Sequence, residues 1–198
     1  DKPDWKEDFC YYQLHLEPEL AISVFAPFYS DQIWLIRQIA RSLPVGFKLY
    51  VREHRDMTNY RPRTFYKQLK TIPNVKLIPP RVDLFELIAK SKLVTVITST
   101  AGWEAALFGK PVITFGSVFY NVLSSVTRCE KIEELPQIIK NSLVPRNNDE
   151  ELSNYVAAML EESVDSDLFS LWCIEGADYK KIKEGMQQHS AGERRQGA

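Results

Sequence analysis

Cysteine and histidine are scarce in this sequence, and their scarcity narrows the chemistry that it can carry. The 198 residues include three cysteines and three histidines. Cys10, Cys129 and Cys173 are odd in number and widely spaced, without metal-ligand spacing, so they predict free thiols rather than a disulfide framework or a metal site. Because free thiols are typical of a reducing compartment, we expect a cytoplasmic protein.

Long apolar runs, excess charge and the common nucleotide motifs are also missing. No stretch approaches the roughly 20 apolar residues of a membrane span, and no signal peptide is visible, so we expect no transmembrane segment. A formal net charge of −1 gives no general electrostatic reason to bind nucleic acid. The sequence has no Walker loop, dinucleotide fingerprint or nucleophile elbow, which removes the most direct motif-based assignments.

What the sequence does contain is a regular alternation of strand and helix patterns. Short apolar runs predict strands, and apolar residues at helical spacing predict the helices between them. The predicted strands are Phe9–Leu16, Lys48–Glu53, Val75–Ile78, Leu93–Ile97, Val112–Phe115 and Val126–Cys129. The helices between the first five strands are predicted to begin near Ser30, Pro62, Asp83 and Trp103. A further helix, interrupted early by Pro136, is predicted over Ile132–Leu143. This alternation predicts an α/β fold with a doubly wound, mostly parallel sheet.

The most informative stretch is Leu93–Gly116, which has the pattern of a βαβ unit. Its first strand is followed by the small polar turn Thr98–Gly102, then by a short helical pattern over Trp103–Phe108 that ends at Gly109. The amides and three hydroxyls of such a turn, placed at a helix N-terminus, are suited to a phosphate. The turn residues singled out are Thr98, Ser99, Thr100 and Gly102.

Glu104 is predicted to lie in the first turn of that helix, where its carboxylate could accept hydrogen bonds from sugar hydroxyls. A plainer interpretation is that Ser99 or Thr100 only caps the helix. For this stretch alone, the capping interpretation is at least as well supported as a ligand site. Nearby, Phe119 and Tyr120 could stack on a base or simply cover the edge of the sheet.

His54 follows the second predicted strand and has several arginines around it. Arg52, Arg55, Arg61 and Arg63 flank it in the sequence. A histidine at a strand end can donate a hydrogen bond to a phosphate oxygen, and guanidinium groups bind phosphate or carboxylate in a bidentate manner. The alternative is a solvated histidine in an ordinary charged loop.

His15 and Glu17 lie near the carboxyl end of the first predicted strand, on the same side by the two-residue period. They are either an acid/base pair or a hydrogen-bonded surface pair. Like His54 and Thr98–Gly102, they come at the carboxyl end of a predicted parallel strand. A doubly wound sheet would bring all three groups to one edge, which is where open parallel sheets bind ligands.

We expect four regions along the chain. Residues 1–8 form a polar lead-in, and residues 9–145 form the Rossmann-like domain. Residues 146–186 carry further helical patterns, over Asp149–Ser163 and Asp167–Ile174, and are expected to pack on that domain. Residues 187–198 are polar and are expected to be a disordered tail. The chain begins at Asp1 without a methionine, as either a piece of a longer protein or a processed protein would.

Several segments together resemble the bacterial capsule polysaccharide biosynthesis proteins. The segments LHLEPE, LYVREH, FYKQLKTIPNVKLI, DLFELIAKSKLV and TSTAGWEAALFGKPVITFG occur in that family's order. The similarity runs from Phe9 to Tyr120 and is closest to the nucleotide-sugar-binding half of the group that includes retaining β-Kdo transferases. It implies one half of a GT-B fold and a nucleotide-sugar donor, such as CMP-Kdo, as substrate without a metal or other cofactor.

The resemblance also implies roles for individual residues. His54 would correspond to the family's histidine that contacts the donor phosphate, Ser99 and Thr100 would hold the same phosphate, and Glu104 would bind the ribose. LHLEPE would line the cleft that faces the partner domain. Two positions depart from the family pattern, because Arg55 stands where proline follows the histidine and Ser99 stands where glycine is expected.

A GT-B enzyme needs two Rossmann-like domains, so the resemblance implies an N-terminal domain that this chain lacks. The implied partners are a nucleotide sugar, a glycan or glycolipid acceptor and that domain, with peripheral contact to the inner membrane through partners. Two other functions stay open. One is a non-catalytic nucleotide- or glycan-binding module, which Arg55 supports, and the other is a sugar-nucleotide epimerase that uses His15 with Glu17.

Overall fold

The structure is a computed structural model that describes residues 1–17, 24, 26–58, 60–145 and 148–163. It divides into two compact units, Asp1–Asp149 and Glu150–Ala198. The first unit contains every residue that the sequence singles out as a candidate site. In the part of the chain that is described, no helix combines the length and apolar character needed to cross a membrane.

A six-stranded sheet forms the centre of the first unit. Its strands are β1 (Phe9–Gln13), β2 (Lys48–Arg52), β3 (Val75–Ile78), β4 (Leu93–Val96), β5 (Val112–Thr114) and β6 (Val126–Arg128). They lie in the order β3-β2-β1-β4-β5-β6, and all five pairings are parallel. The sheet is therefore wholly parallel, where the sequence predicted a mostly parallel one.

The direction of winding reverses beside β1. Tyr11 of β1 pairs with Tyr50 of β2 on one side and with Val94 of β4 on the other. From β1 the chain forms β2 and β3 on one side of β1. It then returns to the other side of β1, where it forms β4, β5 and β6. Loops that leave β1 and β4 diverge to opposite faces, which opens a crevice at their carboxyl ends. This reversal is the topological switch point of the sheet.

Helices cover both faces of the sheet. Between the strands lie α1 (Gln32–Ser42), α2 (Arg63–Lys70), α3 (Leu84–Lys90) and α4 (Thr100–Leu107), and α5 (Leu135–Ser142) follows β6. Leu35 of α1, Leu69 of α2 and Ile139 of α5 belong to one buried cluster with Tyr12 of β1. Tyr11, next to Tyr12 in β1, faces the opposite side of the sheet, because successive side chains alternate along a strand. The doubly wound prediction is confirmed.

Three predictions about the starts of helices need correction. Asp31, rather than Ser30, caps α1 by accepting a hydrogen bond from the Trp34 amide at 2.9 Å. Pro62 occupies the N-cap of α2 rather than its first helical position. Pro136 lies in the first turn of α5, where a missing N–H costs little, so it does not interrupt the helix as predicted.

β1 is also shorter than predicted, because it ends at Gln13 instead of Leu16. The residues that follow Gln13 leave the ladder and take part in side-chain contacts described below. By contrast, Val75–Ile78 is a strand over the predicted range, and Asp83 caps α3 through the Glu86 amide at 2.8 Å.

The second unit contributes one described helix, α6 (Asp149–Glu162), close to the predicted Asp149–Ser163. An extra C-terminal helix is thus present after the sheet domain. The predicted helix Asp167–Ile174 and the predicted tail over residues 187–198 lie outside the described residues. That residues 146–186 pack on the sheet domain stays a prediction.

Candidate nucleotide-sugar site

The polar turn after β4 is built by a helix cap. Ser99 is the N-cap of α4, and its Oγ accepts a hydrogen bond from the Ala101 amide at 3.2 Å. Its carbonyl accepts from the Gly102 amide at 3.1 Å. The helix therefore begins at Thr100 rather than at Trp103, and the open turn is shorter than predicted. The capping interpretation of Ser99 is confirmed, and a phosphate role for the same end of the helix stays a prediction.

His15 reaches this turn from the neighbouring strand. Its Nε2 lies 3.4 Å from the Thr98 amide and accepts a hydrogen bond from it. The histidine is almost fully buried, so it fixes the start of the turn rather than contacting solvent. Thr98 Oγ1 is also buried and has no hydrogen-bond partner in the described parts of the chain. The Thr98 hydroxyl at the switch point could therefore form a hydrogen bond with a ligand.

Glu17 is held by groups other than the histidine with which it was predicted to pair. Its Oε2 lies 2.6 Å from Nη1 of Arg61, and its Oε1 accepts a hydrogen bond from the Gln32 side chain. Arg61 also donates through Nη2 to the His15 carbonyl. These contacts argue against an acid/base pair of His15 and Glu17, because the carboxylate already neutralises a guanidinium.

Arg61 joins the loops that leave β1 and β2. Its side chain is only 2% exposed, and Nε lies 3.0 Å from Oε2 of Glu53, whose side chain is 8% exposed. The same Glu53 oxygen accepts a hydrogen bond from Tyr66 at 2.7 Å. Burial, followed by the hydrogen bond to Glu53, raises the pKa of Tyr66 to about 12, so this phenol stays a donor at neutral pH. We call Glu17, Arg61, Glu53 and Tyr66 the ion network.

His54 is oriented by this network and by its own turn. Its amide donates to Glu53 Oε1 at 2.7 Å, and its Nδ1 accepts from the Asp56 amide at 3.3 Å. When Nδ1 is an acceptor, the proton of the neutral imidazole resides on Nε2. His54 is partly exposed, so Nε2 is available as a hydrogen-bond donor at the carboxyl edge of the sheet.

The four arginines predicted around His54 do not form one cluster. Arg52 donates to Gln13 Oε1 at 3.2 Å, and also to the carbonyls of Val82 and Pro80. Arg61 is buried in the ion network, whereas Arg55 and Arg63 are exposed. Arg52 is therefore already engaged by the protein, and Arg55 lies in solvent on a short 3-10 turn. Their roles in donor binding stay predictions.

Glu104 lies in the second turn of α4, not in the first as predicted, because the helix begins three residues earlier. Its Oε2 is buried and has no hydrogen-bond partner among the described residues. Burial raises the pKa of Glu104, and the nearby Arg52 guanidinium opposes that rise. An unpaired, partly buried carboxylate near the switch point is available to accept hydrogen bonds from a ligand.

Tyr120 holds the cap of α4 from the loop after β5. Its hydroxyl donates to the Ser99 carbonyl at 2.6 Å, and its ring is buried. A Cβ on Gly102 would stand 2.5 Å from that hydroxyl, so the glycine makes room for Tyr120. Tyr120 therefore covers the sheet edge, whereas Phe119 beside it is 51% exposed and remains accessible.

Sequence reasoning missed several residues that build this edge. Gln13, Gln32, Glu53 and Tyr66 were not singled out. The first three each contact a residue that was, and Tyr66 donates a hydrogen bond to Glu53. A weak signal existed for Gln32, which occupies a buried position on the apolar face of α1 next to Leu35 and Ile36. Polar residues on an apolar helical face indicate a buried hydrogen bond.

A cavity of about 610 Å³ opens beside this edge, at the ends of β2 and β3. Glu53, Arg61 and Tyr66 line it together with Thr58 and Arg63. The described residues contain no group of three His, Cys, Asp or Glu side chains placed to bind a metal ion. The carboxyl edge of the sheet thus presents hydrogen-bond donors and charged side chains to a ligand in this cavity.

Comparison with known proteins supports the assignment of the fold. A family model described as capsule polysaccharide biosynthesis protein matches residues 4–161. The solved structure of the β-Kdo 2,7 transferase KpsC from Thermosulfurimonas dismutans is 20% identical, with a TM-score of 0.51. The match covers 72% of this chain and 47% of that one. The β-Kdo 2,4 transferase KpsC from the same organism is 15% identical, with a TM-score of 0.50 and coverages of 69% and 44%.

No curated protein sequence matches this chain. The chain spans less than half the length of the two solved structures, and identities at this level establish the fold alone. The fold is the Rossmann-like half of a GT-B architecture.

Proposed function

Because the chain belongs to the capsule polysaccharide biosynthesis protein family, we propose that it is the donor-binding domain of a glycosyltransferase that builds a bacterial surface polysaccharide. The observation that carries this proposal is the meeting of three polar segments at the switch point. His54 follows β2, His15 follows β1 and Ser99 follows β4, and these three strands are adjacent in the sheet. Sheets of this strand order bind nucleotides at that crevice.

The donor's phosphate would lie between His54 and the N-terminus of α4. Ser99 satisfies the amides of Ala101 and Gly102, which leaves the first helical amide, that of Thr100, for a ligand. His54 would donate from Nε2, and Thr98 Oγ1 would gain the partner that it lacks. These groups would stabilise negative charge on the nucleotide phosphate as the sugar leaves.

Glu104 would accept hydrogen bonds from the ribose hydroxyls. Its buried, unpaired Oε2 supports this role, because a carboxylate that is desolvated without a partner gains most from a donor. For the donor itself we propose an acidic sugar activated by CMP, of which CMP-Kdo is the example that the family resemblance implies.

The test is a calorimetric titration of the 198-residue chain with CMP, UDP, GDP and ADP. We expect selective binding of CMP, weakened by His54→Ala roughly tenfold or more, because a hydrogen bond to a charged group contributes about 1.5–3 kcal/mol. Lys140→Ala, an exposed change on α5, is the matched control and should bind as the parent chain does.

Selectivity for UDP or GDP would keep the donor site but reject the CMP-sugar assignment. Binding that is unchanged in His54→Ala would reject the role of His54. Absence of binding for all four nucleotides would favour the second candidate, a non-catalytic module. That candidate has one specific observation behind it, the exposed Arg55 where the family has proline.

A further inference from the structure

A second polar cavity lies at the amino ends of the strands, on the edge of the sheet opposite to His54 and Ser99. Its volume is about 460 Å³, within the range of about 300–1,000 Å³ that small-molecule sites occupy. The segments that enter β4, β5 and β6 line it, together with the end of α5 and the residues after it. Lys92, Lys110, Ser125, Thr127, Asn141 and Asn148 supply its polar groups.

Two hydrogen-bond donors in this cavity have no acceptor among the described residues. Asn148 is only 7% exposed, and its Nδ2 has no hydrogen-bond partner in the described parts of the chain. The Ser125 Oγ is buried and equally unpaired there. Buried donors without acceptors are rare in folded proteins, and each indicates an absent partner such as a water molecule or a ligand.

Lys110 adds a cation that no carboxylate of the described residues neutralises. It is partly buried and lies outside every ion pair found in those residues. Burial lowers the pKa of Lys110, and the neighbouring Lys92 ammonium lowers it further. Lys92 itself lies 3.7 Å from Asp8, but both side chains are exposed, so that pair neutralises little inside the cavity.

The unpaired groups of the cavity wall share one chemical character. Asn148 Nδ2 and the Lys110 ammonium can only donate hydrogen bonds, and the Ser125 hydroxyl can donate one. A ligand that satisfies all three must present several acceptor oxygens and a negative charge. Phosphate and carboxylate groups have that chemistry, whereas a neutral sugar hydroxyl supplies no charge.

We propose that this cavity binds a small ligand through a phosphate or carboxylate group held by Lys110, Asn148 and Ser125. The site is separate from the donor site, because it lies at the other ends of the same strands. The helix α4 extends between the two, from Ser99 at its N-cap to Gly109 and Lys110 just beyond its C-terminus.

The test is a titration of the 198-residue chain with three probes, inorganic phosphate, glucose 6-phosphate and glucuronate. All three are followed by calorimetry and by the rise in melting temperature that a ligand of the folded state produces. Binding of the first two alone identifies a phosphate site, and binding of glucuronate alone identifies a carboxylate site. Both results support an oxyanion site.

Variants separate this cavity from the donor site. We expect Lys110→Met and Ser125→Ala each to weaken binding, the first by about tenfold or more, because it removes a charged donor. Lys110→Arg should restore most of the affinity. Lys140→Met, which removes an exposed lysine of α5 outside the cavity lining, should bind the probe as the parent chain does.

Two results would overturn the proposal. One is that none of the three probes binds in a saturable manner. The other is that binding survives Lys110→Met and Ser125→Ala in variants whose circular dichroism and melting temperature show that they are folded. A loss of binding in His54→Ala alone would assign the anion to the donor site instead.

Discussion

At the scale of single residues, Arg61 is the residue whose removal should destabilise the protein most. Arg61 and its partner Glu53 are both buried, and removing one partner of a buried ion pair costs about 3–5 kcal/mol because the other charge stays buried. We therefore expect Arg61→Ala to lower the free energy of unfolding by that amount in urea denaturation. Arg63→Ala, an exposed neighbour, should change it by no more than about 0.5 kcal/mol.

Loss of Arg61 should also weaken nucleotide binding, since Glu53 holds the His54 amide. Adding Glu53→Gln to Arg61→Ala removes the uncompensated charge and should recover part of the stability. A double variant that is no more stable than Arg61→Ala would contradict the view that the buried carboxylate causes the loss.

Glu104 should destabilise the free protein at neutral pH. Its folded pKa is raised above the unfolded value, so its contribution favours folding below the unfolded pKa and is lost as pH rises through the folded pKa. We expect Glu104→Gln to raise the melting temperature at pH 7 and to leave it nearly unchanged below about pH 4. If Glu104 binds ribose, the same variant should bind CMP more weakly. Equal melting temperatures at pH 7 would contradict the prediction.

The residue scale is also where the sequence was least informative. Glu17 and Arg61 are 44 positions apart, and nothing in their local patterns indicates that they meet. His15 and Glu17 were predicted to pair because they are two positions apart on one strand. The strand ends at Gln13, however, so the two-residue period no longer applies to them.

At the scale of elements, α4 depends on a glycine in its first turn. A Cβ on Gly102 would stand 2.5 Å from Tyr120 Oη and 2.8 Å from Val96 Cγ2. We expect Gly102→Ala to lower the free energy of unfolding by about 1–3 kcal/mol, the usual cost of overpacking, although alanine is the better helix former. Chemical denaturation measures this change.

The companion variant Tyr120→Phe removes the hydroxyl that a Cβ on Gly102 would meet. Gly102→Ala should cost less in a Tyr120→Phe background than in the parent chain. An identical cost in both backgrounds would show that Val96, rather than Tyr120, sets the requirement for glycine.

Element types were predictable, whereas element ends were not. Alternation and helical spacing indicated all six strands and α1 to α5, since burial patterns repeat along an element. The first residue of α4 was misplaced by three positions because Ser99, Thr100 and Gly102 have the composition of a turn. Whether such residues form an open turn or a capped helix depends on Tyr120 and His15, which come from distant parts of the chain.

At the scale of the whole molecule, the described residues form one Rossmann-like domain, whereas a GT-B enzyme needs two. We expect it to bind nucleotide without efficient turnover. Combined with the second domain that the proposed function requires, it should transfer sugar from a labelled sugar nucleotide to an acceptor. In that longer protein, His54→Ala should lower kcat about 10²–10³-fold, as the loss of one preorganised donor does. Transfer at the parent rate in that variant would remove His54 from the mechanism.

The aromatic contacts of α4 have a practical consequence for following such binding. The Trp103 ring centroid lies 5.4 Å from that of Phe119 and 6.2 Å from that of Tyr120, and Tyr120 is tied to the helix cap. An indole in this position is an intrinsic fluorophore beside the proposed donor site. With the other tryptophans changed to phenylalanine, its emission would report nucleotide occupancy in real time without a dye or radioactive label.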